Sequence, residues 1–478
     1  MGGPGRRAGV ARGAHRARRR GAARRPHPAT AVPAAAVRGP GLRRSNDPAG
    51  GRARTREAVG GQGVKRYLTA TFASLQTRNY RLYFLGQSVS LTGTWMQKMA
   101  QAWLVLELTN SGAWLGITLA AQQVPLLLLG PWGGLVADRI AKRTILIGTA
   151  VAAMVPSLLL GVLILTNHIN VALVLVLAVI GGVIDALDKP ARQSFPSEMV
   201  PASQLANAVV LNNIVQDTGK VVGPALGGIL IAAFGLPWTF LLNAMSFLAV
   251  LAGLLLMRSD ELSAPEPIAR GAGQLRAGLA YIRNNAELFV PLALLASVGL
   301  VAYNFQLLLA VLGRETFHGD ARTVGYLLGA LGAGSVLGGL ALAGVLRATV
   351  GRIIGAALLL AALLLATGVA PNLATAFVLV FAMGTSSVIF KALASTWLQL
   401  AAAPEMRGRV LSLLVVAIGG TTPIGAPVMG WLAEHFGTRA TFLLAGVLTA
   451  IAAVIAYLYM RRAVGADHDE QTAVRSNA

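Results

Sequence analysis

Twelve apolar segments, each about as long as a bilayer is thick, decide what this chain can fold into. A bilayer core of about 30 Å is crossed by about 20 helical residues. Segments of that length lie at residues 80–107, 113–136, 144–166, 171–193, 205–233, 238–257, 288–313, 323–346, 351–370, 373–398, 407–433 and 439–460. Lipid offers backbone N–H and C=O groups no partners, and these runs are far longer than barrel strands, so each must be a helix. Charged residues make up 13% of the chain, about half the share usual in soluble domains. A large water-soluble core is excluded.

The formal charge of +22 is concentrated at one end. Residues 1–66 hold sixteen arginines and Lys65 against Asp47 and Glu57, a net of +15, which leaves +7 for the other 412 residues. This stretch of Arg, Ala, Gly and Pro cannot bury a core and is expected to be disordered. It has no apolar signal-peptide region. It reads as a solvated tail, or as an upstream reading frame joined to the gene with the start near Val64; a basic arm touching nucleic acid or anionic lipid is the alternative. The chain has no cysteine, and none of its histidines (15, 27, 168, 318, 435, 468) falls in a span. Disulfides, thiolate metal sites and helical histidine sites are out. There is no Walker phosphate loop and no Ser-His-Asp, metal or paired-carboxylate constellation, so the chain reads as neither ATPase nor enzyme and no cofactor is expected.

Lys and Arg concentrate on one side of the spans. Arg139, Lys142 and Arg143 follow span 2, Lys189 and Arg192 span 4, Arg258, Arg270, Arg276 and Arg283 span 6, Arg347 and Arg352 span 8, Arg407 and Arg409 span 10, and Arg461 and Arg462 span 12. The opposite loops hold Arg314, Arg322 and Arg439. Both termini are therefore expected in the cytoplasm of a cell-membrane protein. The chain also repeats itself: Phe234-Gly235-x-x-x-Thr239-Phe-Leu-Leu242 recurs 202 residues later as Phe436-Gly437-x-x-x-Thr441-Phe-Leu-Leu444. Gly223 and Gly228 match Gly425 and Gly430 at the same offset. The expected organisation is a six-helix bundle over 78–257, a cytoplasmic linker over 258–287, a second six-helix bundle over 288–462 and a tail over 463–478. Leu275, Leu279 and Ile282 at helical spacing beside Arg276 and Arg283 predict an amphipathic helix on the membrane surface within the linker.

The loop between spans 2 and 3 reads Gly134-Leu-Val-Ala-Asp-Arg-Ile-Ala-Lys-Arg143. Together with six plus six spans, it resembles the major facilitator superfamily and that family's loop signature, Gly-x-Leu-x-Asp-Arg-x-Gly-Arg-Lys, with Ala141 at the second glycine. The resemblance covers residues 78–462 and implies an all-α fold of twelve transmembrane helices in two parallel six-helix repeats. It also implies that Asp138 and Arg139 help latch the halves on the cytoplasmic side. The equivalent loop, Gly344 to Arg352, has lost its acid. Span 5 carries Gly219-x-x-x-Gly223-Pro224-x-x-Gly227-Gly228, small residues at a spacing that lets helix backbones approach, with a proline bend. The arrangement resembles the family's antiporter signature and so implies export. Asn79-Tyr-Arg-Leu-Tyr83, Gly93-Thr-Trp-Met-Gln97, Pro190-Ala-Arg-Gln193 and Phe240-Leu-Leu-Asn-Ala-Met-Ser-Phe247 look like the enterobactin-exporter-like branch, the transmembrane secretion effectors.

Polar residues inside spans are the site candidates, because a charge costs at least ~2.5 kcal/mol at the bilayer centre. In span 1, Gln87, Ser90, Thr94, Gln97, Lys98 and Gln101 share one face. In span 5, Asn212, Asn213, Gln216, Asp217 and Lys220 share the face of Gly223 and Gly227. Span 2 adds Gln122 and Gln123, span 4 adds Asp185, and span 10 adds Ser387, Lys391 and Ser395. Spans 3, 6, 9 and 12 have no ionisable interior residue and are expected against lipid. Substrate is expected between the halves among Lys98, Gln101, Gln122 and Lys391, where the lysines suit acidic or neutral molecules and disfavour cationic drugs. Asp217 is either a structural acid neutralised by Lys98 or Lys220, or a proton site. No carboxylate is expected inside a second-half span, which confines coupling through protein acids to the first half. The leading reading is a monomeric, proton-driven exporter of small hydrophobic or amphipathic molecules; an uptake symporter and a membrane-anchored nucleic-acid-binding protein are the alternatives.

Deleting residues 1–63 is expected to leave membrane insertion and transport intact, because the remaining loops keep the charge bias. Loss of insertion in the truncated protein, measured by membrane fractionation, would count against this; nucleic-acid cross-linking that vanishes on truncation would favour the basic arm.

Overall fold

A computed structural model of the chain describes residues 72–263, 274–283, 285–342 and 348–476. The expected disorder of residues 1–66 lies outside the described residues, as do Arg270 and the 344–347 part of the second basic loop. Among the described residues there are helices and no strand. The twelve long ones are α1 Arg78–Thr109, α2 Gly112–Arg139, α3 Lys142–Leu165, α4 Val171–Ser194, α5 Ala202–Phe234, α6 Leu236–Leu255, α7 Ala286–Thr316, α8 Ala321–Leu342, α9 Val350–Gly368, α10 Leu373–Ala401, α11 Arg407–Phe436 and α12 Thr438–Ser476. Eleven are apolar enough to cross a membrane by composition alone. The exception is α1, whose polar stripe lowers its hydropathy. α12 remains helical through Ser476, so the segment beyond residue 462 extends a helix.

Local chemistry sets the ends. Ser111, Asn170, Asn285, Thr349 and Asn372 each accept a backbone N–H in the first turn of the helix they precede, the usual role of these residue types at N-caps. The repeated Phe-Gly pairs are helix stops. Gly235 and Gly437 adopt φ of +90° and +83°, a conformation glycine reaches without strain, and each lets the next helix begin at the following residue.

Two helices are interrupted. α7 consists of Ala286–Val301, Phe305–Val311 and a π-turn over Leu312–Thr316, and α11 of Arg407–Gly419 and Thr422–Phe436. The breaks face one another: a Cβ at Gly299 would lie 2.5 Å from Thr421 Oγ1, and one at Gly425 would collide with the Leu300 carbonyl. Both α7 and α11 reach farther than their apolar runs suggest, so Glu315 and Glu434 lie in their last turns. Both sit at helix ends remote from the chain termini, and the span interiors of the second half hold no carboxylate among the described residues.

Lipid tails give helices no hydrophobic reason to associate, so close backbone approach carries the packing. In the first half, a Cβ at Gly133 would collide with the Ala186 carbonyl and one at Gly182 with the Gln122 carbonyl, locking α2 to α4. In the second half, Gly334 meets Phe381 and Gly384 meets Leu331 in the same way, locking α8 to α10. The halves meet through α2 with α11 and α5 with α8. Gly112 faces Gly430, Gly116 faces Ala426, Gly228 faces Ala321, and Gly325 faces Pro224. Ser111 Oγ and the Ala113 N–H both donate to the Glu434 carboxylate, and Arg314 lies 5.2 Å from the Trp103 ring. These contacts run from mid-helix to the face opposite the start of α1. On the face where α1 starts, Asp138 and Arg139 are exposed. The glycine, Glu434 and Arg314 contacts between the halves thus lie toward the far face.

The linker helix Gln274–Arg283 packs on protein: Ile282 is fully buried, and the Tyr281 hydroxyl accepts the Ala403 N–H at 3.2 Å. Leu279 on the same helix stays 55% exposed.

Adjacent glycines on α4 test the packing. Gly182→Ala places its methyl against the Gln122 carbonyl, whereas Gly181→Ala meets nothing within 4 Å. Gly182→Ala should lower the thermal unfolding midpoint of the purified protein, with a cost of about 1–3 kcal/mol, and Gly181→Ala should not. Equal midpoints would show that α2 and α4 are not in tight contact.

Candidate functional site

The stripe on α1 recurs at helical spacing, and a helix with that pattern turns its polar face away from lipid. Gln87, Ser90, Thr94, Gln97, Lys98 and Gln101 all line one cavity of about 320 Å³, with Gln122 and Gln123 of α2 opposite. The amides form short networks. Gln122 Nε2 donates to Gln101 Oε1 at 2.9 Å, and Asn243 Nδ2 of α6 donates to Gln97 Oε1 at 2.7 Å and Ser157 Oγ of α3 at 3.3 Å. Thr94 Oγ1 donates to the Ser90 carbonyl at 2.9 Å. Gln101 is 5% exposed and its Nε2 has no partner. The cavity also reaches Pro156 and Leu160 of α3 and Phe247 of α6. So α3 and α6 do not only face lipid: lacking ionisable residues, they still supply amide, hydroxyl and apolar wall.

The α4 wall carries charge. Lys189 Nζ pairs with Asp185 at 2.9 Å and Arg192 Nε with Asp188 at 3.1 Å, each one turn apart, and Thr149 Oγ1 donates to Asp188 at 3.0 Å. Lys189 and Arg192 are not loop residues after span 4; α4 continues through Ser194, and all four groups line the cavity. Charges near a helix end look like a loop in sequence, but a polar cavity lets the helix continue.

A second cluster lies at mid-helix of α5. Lys220 Nζ bonds Asp217 at 2.7 Å, so of the two candidate lysines the partner of Asp217 is Lys220. These side chains are 43% and 47% exposed, which at the middle of a spanning helix marks a watery cleft. Trp95 sits beside them, with Lys98 Nζ 4.6 Å and Lys220 Nζ 6.0 Å from its ring centre. The expected grouping of Lys391 with Gln101 and Gln122 is corrected. The cavity is lined by the first half alone, including Gln216 of α5, and Lys391 of α10 is exposed and does not line it. The seam is drawn tight at Lys98, whose carbonyl accepts from Gln306 Nε2 of α7 at 2.8 Å.

The glycines of α5 have separate partners. Gly219, Gly223 and Gly227 lie against Trp95, Thr92 and Met96 of α1, while Gly228 and the Pro224 carbonyl face α8. Of the basic loop, Gly134 is buried, while Asp138 and Arg139 have no bonded partner among the described residues. Arg143 caps α6, donating to the Leu254 carbonyl at 2.7 Å and Ser259 Oγ at 2.8 Å. Lys142 forms a buried pair with Glu198 of the short helix Pro196–Met199, the two being 7% and 8% exposed. Sequence reasoning did not single out Trp95, Asp188 and Asn243 as site residues or pair Lys142 with Glu198. A signal existed for Asp188 and Arg192 in their one-turn spacing, and for Trp95 in its place between Thr94 and Lys98.

A family profile described as transmembrane secretion effector matches residues 69–477. The chain is 25% identical over 391 residues to the staphyloferrin A transporter of Staphylococcus aureus (strain NCTC 8325 / PS 47), covering 80% of this chain and 96% of that protein. It is 23% identical over 389 residues to macrolide efflux protein A of Streptococcus pyogenes, covering 79% and 96%. Among solved structures, a bacterial homologue of the human lysosomal transporter Spinster, in an inward-facing and unoccupied conformation, superposes with a TM-score of 0.64 at 17% identity, covering 80% of this chain and 96% of that one.

The Lys142–Glu198 pair yields a direct test. Lys142→Met leaves a buried carboxylate without its cation, which should cost about 3–5 kcal/mol, whereas replacing both partners by apolar residues should be near neutral. Thermal unfolding should therefore show a large loss for Lys142→Met and recovery in Lys142→Met/Glu198→Leu. A double variant as unstable as the single one would mean that Lys142 acts through other contacts.

Proposed function

The chain belongs to the transmembrane secretion effector family of major facilitator transporters, and on that premise we propose that it exports small hydrophobic or amphipathic molecules, siderophore- or drug-like, by alternating access with proton antiport. It is a membrane transporter and not an enzyme. The observation that carries the export reading is the α5 arrangement. Gly219, Gly223 and Gly227 seat α5 on α1 while Gly228 and Pro224 seat it on α8, so small residues on two sides of one helix join the first half to the second toward the far side. Efflux by the macrolide relative agrees with that direction.

In this proposal the basic loops put the terminal face on the cytoplasmic side of the cell membrane, and the cleft opens toward the cytoplasm on the side away from the glycine and Glu434 contacts. Substrate enters the cleft beside Trp95 and Lys98. Rocking of one half against the other closes the cytoplasmic side and breaks the Glu434 and glycine contacts on the outer side. The protein works as a monomer on the proton gradient alone, with no bound cofactor and no nucleic acid. The coupling acid is Asp217, bonded to Lys220 on the helix that packs against both α1 and α8.

Accumulation of a fluorescent amphipathic dye should fall in cells expressing the protein and return to control levels when a protonophore collapses the gradient. Asp217→Asn should remove gradient-driven export yet leave dye binding measurable. Higher accumulation with the protein would establish uptake instead, and export that survives gradient collapse would remove proton coupling.

A further inference from the structure

The cavity of the first half carries one positive charge too many. Its wall holds three bases, Lys98, Lys189 and Arg192, against two acids, Asp185 and Asp188. Lys189 bonds Asp185 at 2.9 Å and Arg192 bonds Asp188 at 3.1 Å, each pair closing on its own helix. Lys98 is left over. Among the described residues its Nζ has no ion-pair or hydrogen-bond partner, and it rests on the face of Trp95, 4.6 Å from the ring centre. Trp95 is itself fixed, because Gly219 and Gly223 of α5 lie so close that a Cβ on either would press on it. The ammonium is thereby held at one place in the wall.

An aromatic face attracts a cation, but it supplies no lone pair to the three N–H donors of an ammonium. A charge so placed inside a membrane is costly and marks a position where a ligand supplies the counter-charge. Gln101 points the same way from the next turn of α1. It lines the same cavity and is 5% exposed; its Oε1 accepts from Gln122, and its Nε2 has no partner. A cation and an N–H donor are thus both unsatisfied in one wall. Leu160 of α3 and Phe247 of α6 give that cavity apolar surface. Its volume of about 320 Å³ lies at the small end of ligand pockets, which suits a compact molecule.

We propose that this cavity selects organic monoanions with a compact apolar body, the acidic group taken by Lys98 with the Gln101 amide donating to the same molecule. Lys98 is then the residue that sets specificity, and Trp95 positions it. One negative charge brings the wall to neutrality. A neutral molecule leaves Lys98 uncompensated, and a cation adds to the excess. This inference rests on the cavity being the substrate site, as in the proposed function, and is independent of transport direction and coupling ion.

The test is equilibrium binding to the full chain in lipid nanodiscs, corrected for partition into empty nanodiscs, with three probes that share a naphthalene ring: naphthoate, an anion, naphthamide, its neutral counterpart, and naphthylmethylammonium, a cation. Naphthoate should bind at least about tenfold more tightly than naphthamide, the effect of one charge-assisted contact, and the cation should bind least. Lys98→Gln should bring naphthoate to the level of naphthamide while leaving naphthamide binding unchanged, and Lys98→Arg should keep the preference. Lys98→Met, which also removes the charge, serves where the glutamine variant does not fold, and the ranking on the parent protein needs no variant. Equal binding of naphthoate and naphthamide, tightest binding of the cation, or an anion preference that survives loss of the Lys98 charge overturns the proposal. Uptake or proton-independent export of the dye in cells, with the probe ranking intact, would overturn the exporter reading and leave this one standing.

Discussion

Lipid can neither solvate a charge nor complete a hydrogen bond, and that constraint orders the structure. It makes the spans helical, and it turns the Gln87-to-Gln101 stripe of α1 inward onto a cavity. It also explains how the charged residues of α4 and α5 are placed. Each acid has its base one turn away on the same helix, so a helix carries its neutral pair with it wherever it moves. Such local pairs add little stability. Their effect is to let a spanning helix hold carboxylates at a cleft in any conformation.

The same constraint explains why glycine marks the contacts. With no hydrophobic gain from helix association in lipid, backbone approach must supply it, and the α2–α4 and α8–α10 locks are built alike in the two halves. The halves are held rigid internally by carbonyl-to-glycine contacts. They are joined to each other by fewer contacts, biased toward one face. Two rigid bundles with a one-sided seam can rock, and the seam is where the energy of opening is set.

Much of this was legible because membrane periodicity is a strong signal. Twelve apolar runs gave the spans within a few residues, and the Phe-Gly repeat marked two helix ends whose positive φ needs glycine. Several features were not legible. Lys189 and Arg192 sit where a charge count places a loop, since sequence alone cannot show that a polar cavity shelters them. Asn243 is an uncharged amide in an apolar run and gives no signal until its partner Gln97 is in place. The break in α7 at residues 302–304 contains neither glycine nor proline, whereas the one in α11 is marked by Gly419-Gly420 and by Pro423 at the start of its second segment. Lys142 is basic like its neighbours, and only the return of Glu198 from beyond α4 makes it a buried ion-pair partner.

The arrangement of the acids bears on which one can serve proton antiport. A coupling carboxylate must see a different electrostatic environment in the two states of the transporter. Asp188 is bonded to Arg192 on its own helix and to Thr149 of α3, partners that travel together when the first half rocks as a body. Asp185 is bonded to Lys189 and lies near Lys98, again within the same half. Asp217 differs, because it is bonded to Lys220 on α5, the helix that packs against α1 of its own half through Gly219, Gly223 and Gly227 and against α8 of the other through Gly228 and Pro224. In the proposed cycle, rocking shifts α8 relative to α1, so the surroundings of the Asp217 pair differ between states where those of the α4 pairs travel with them.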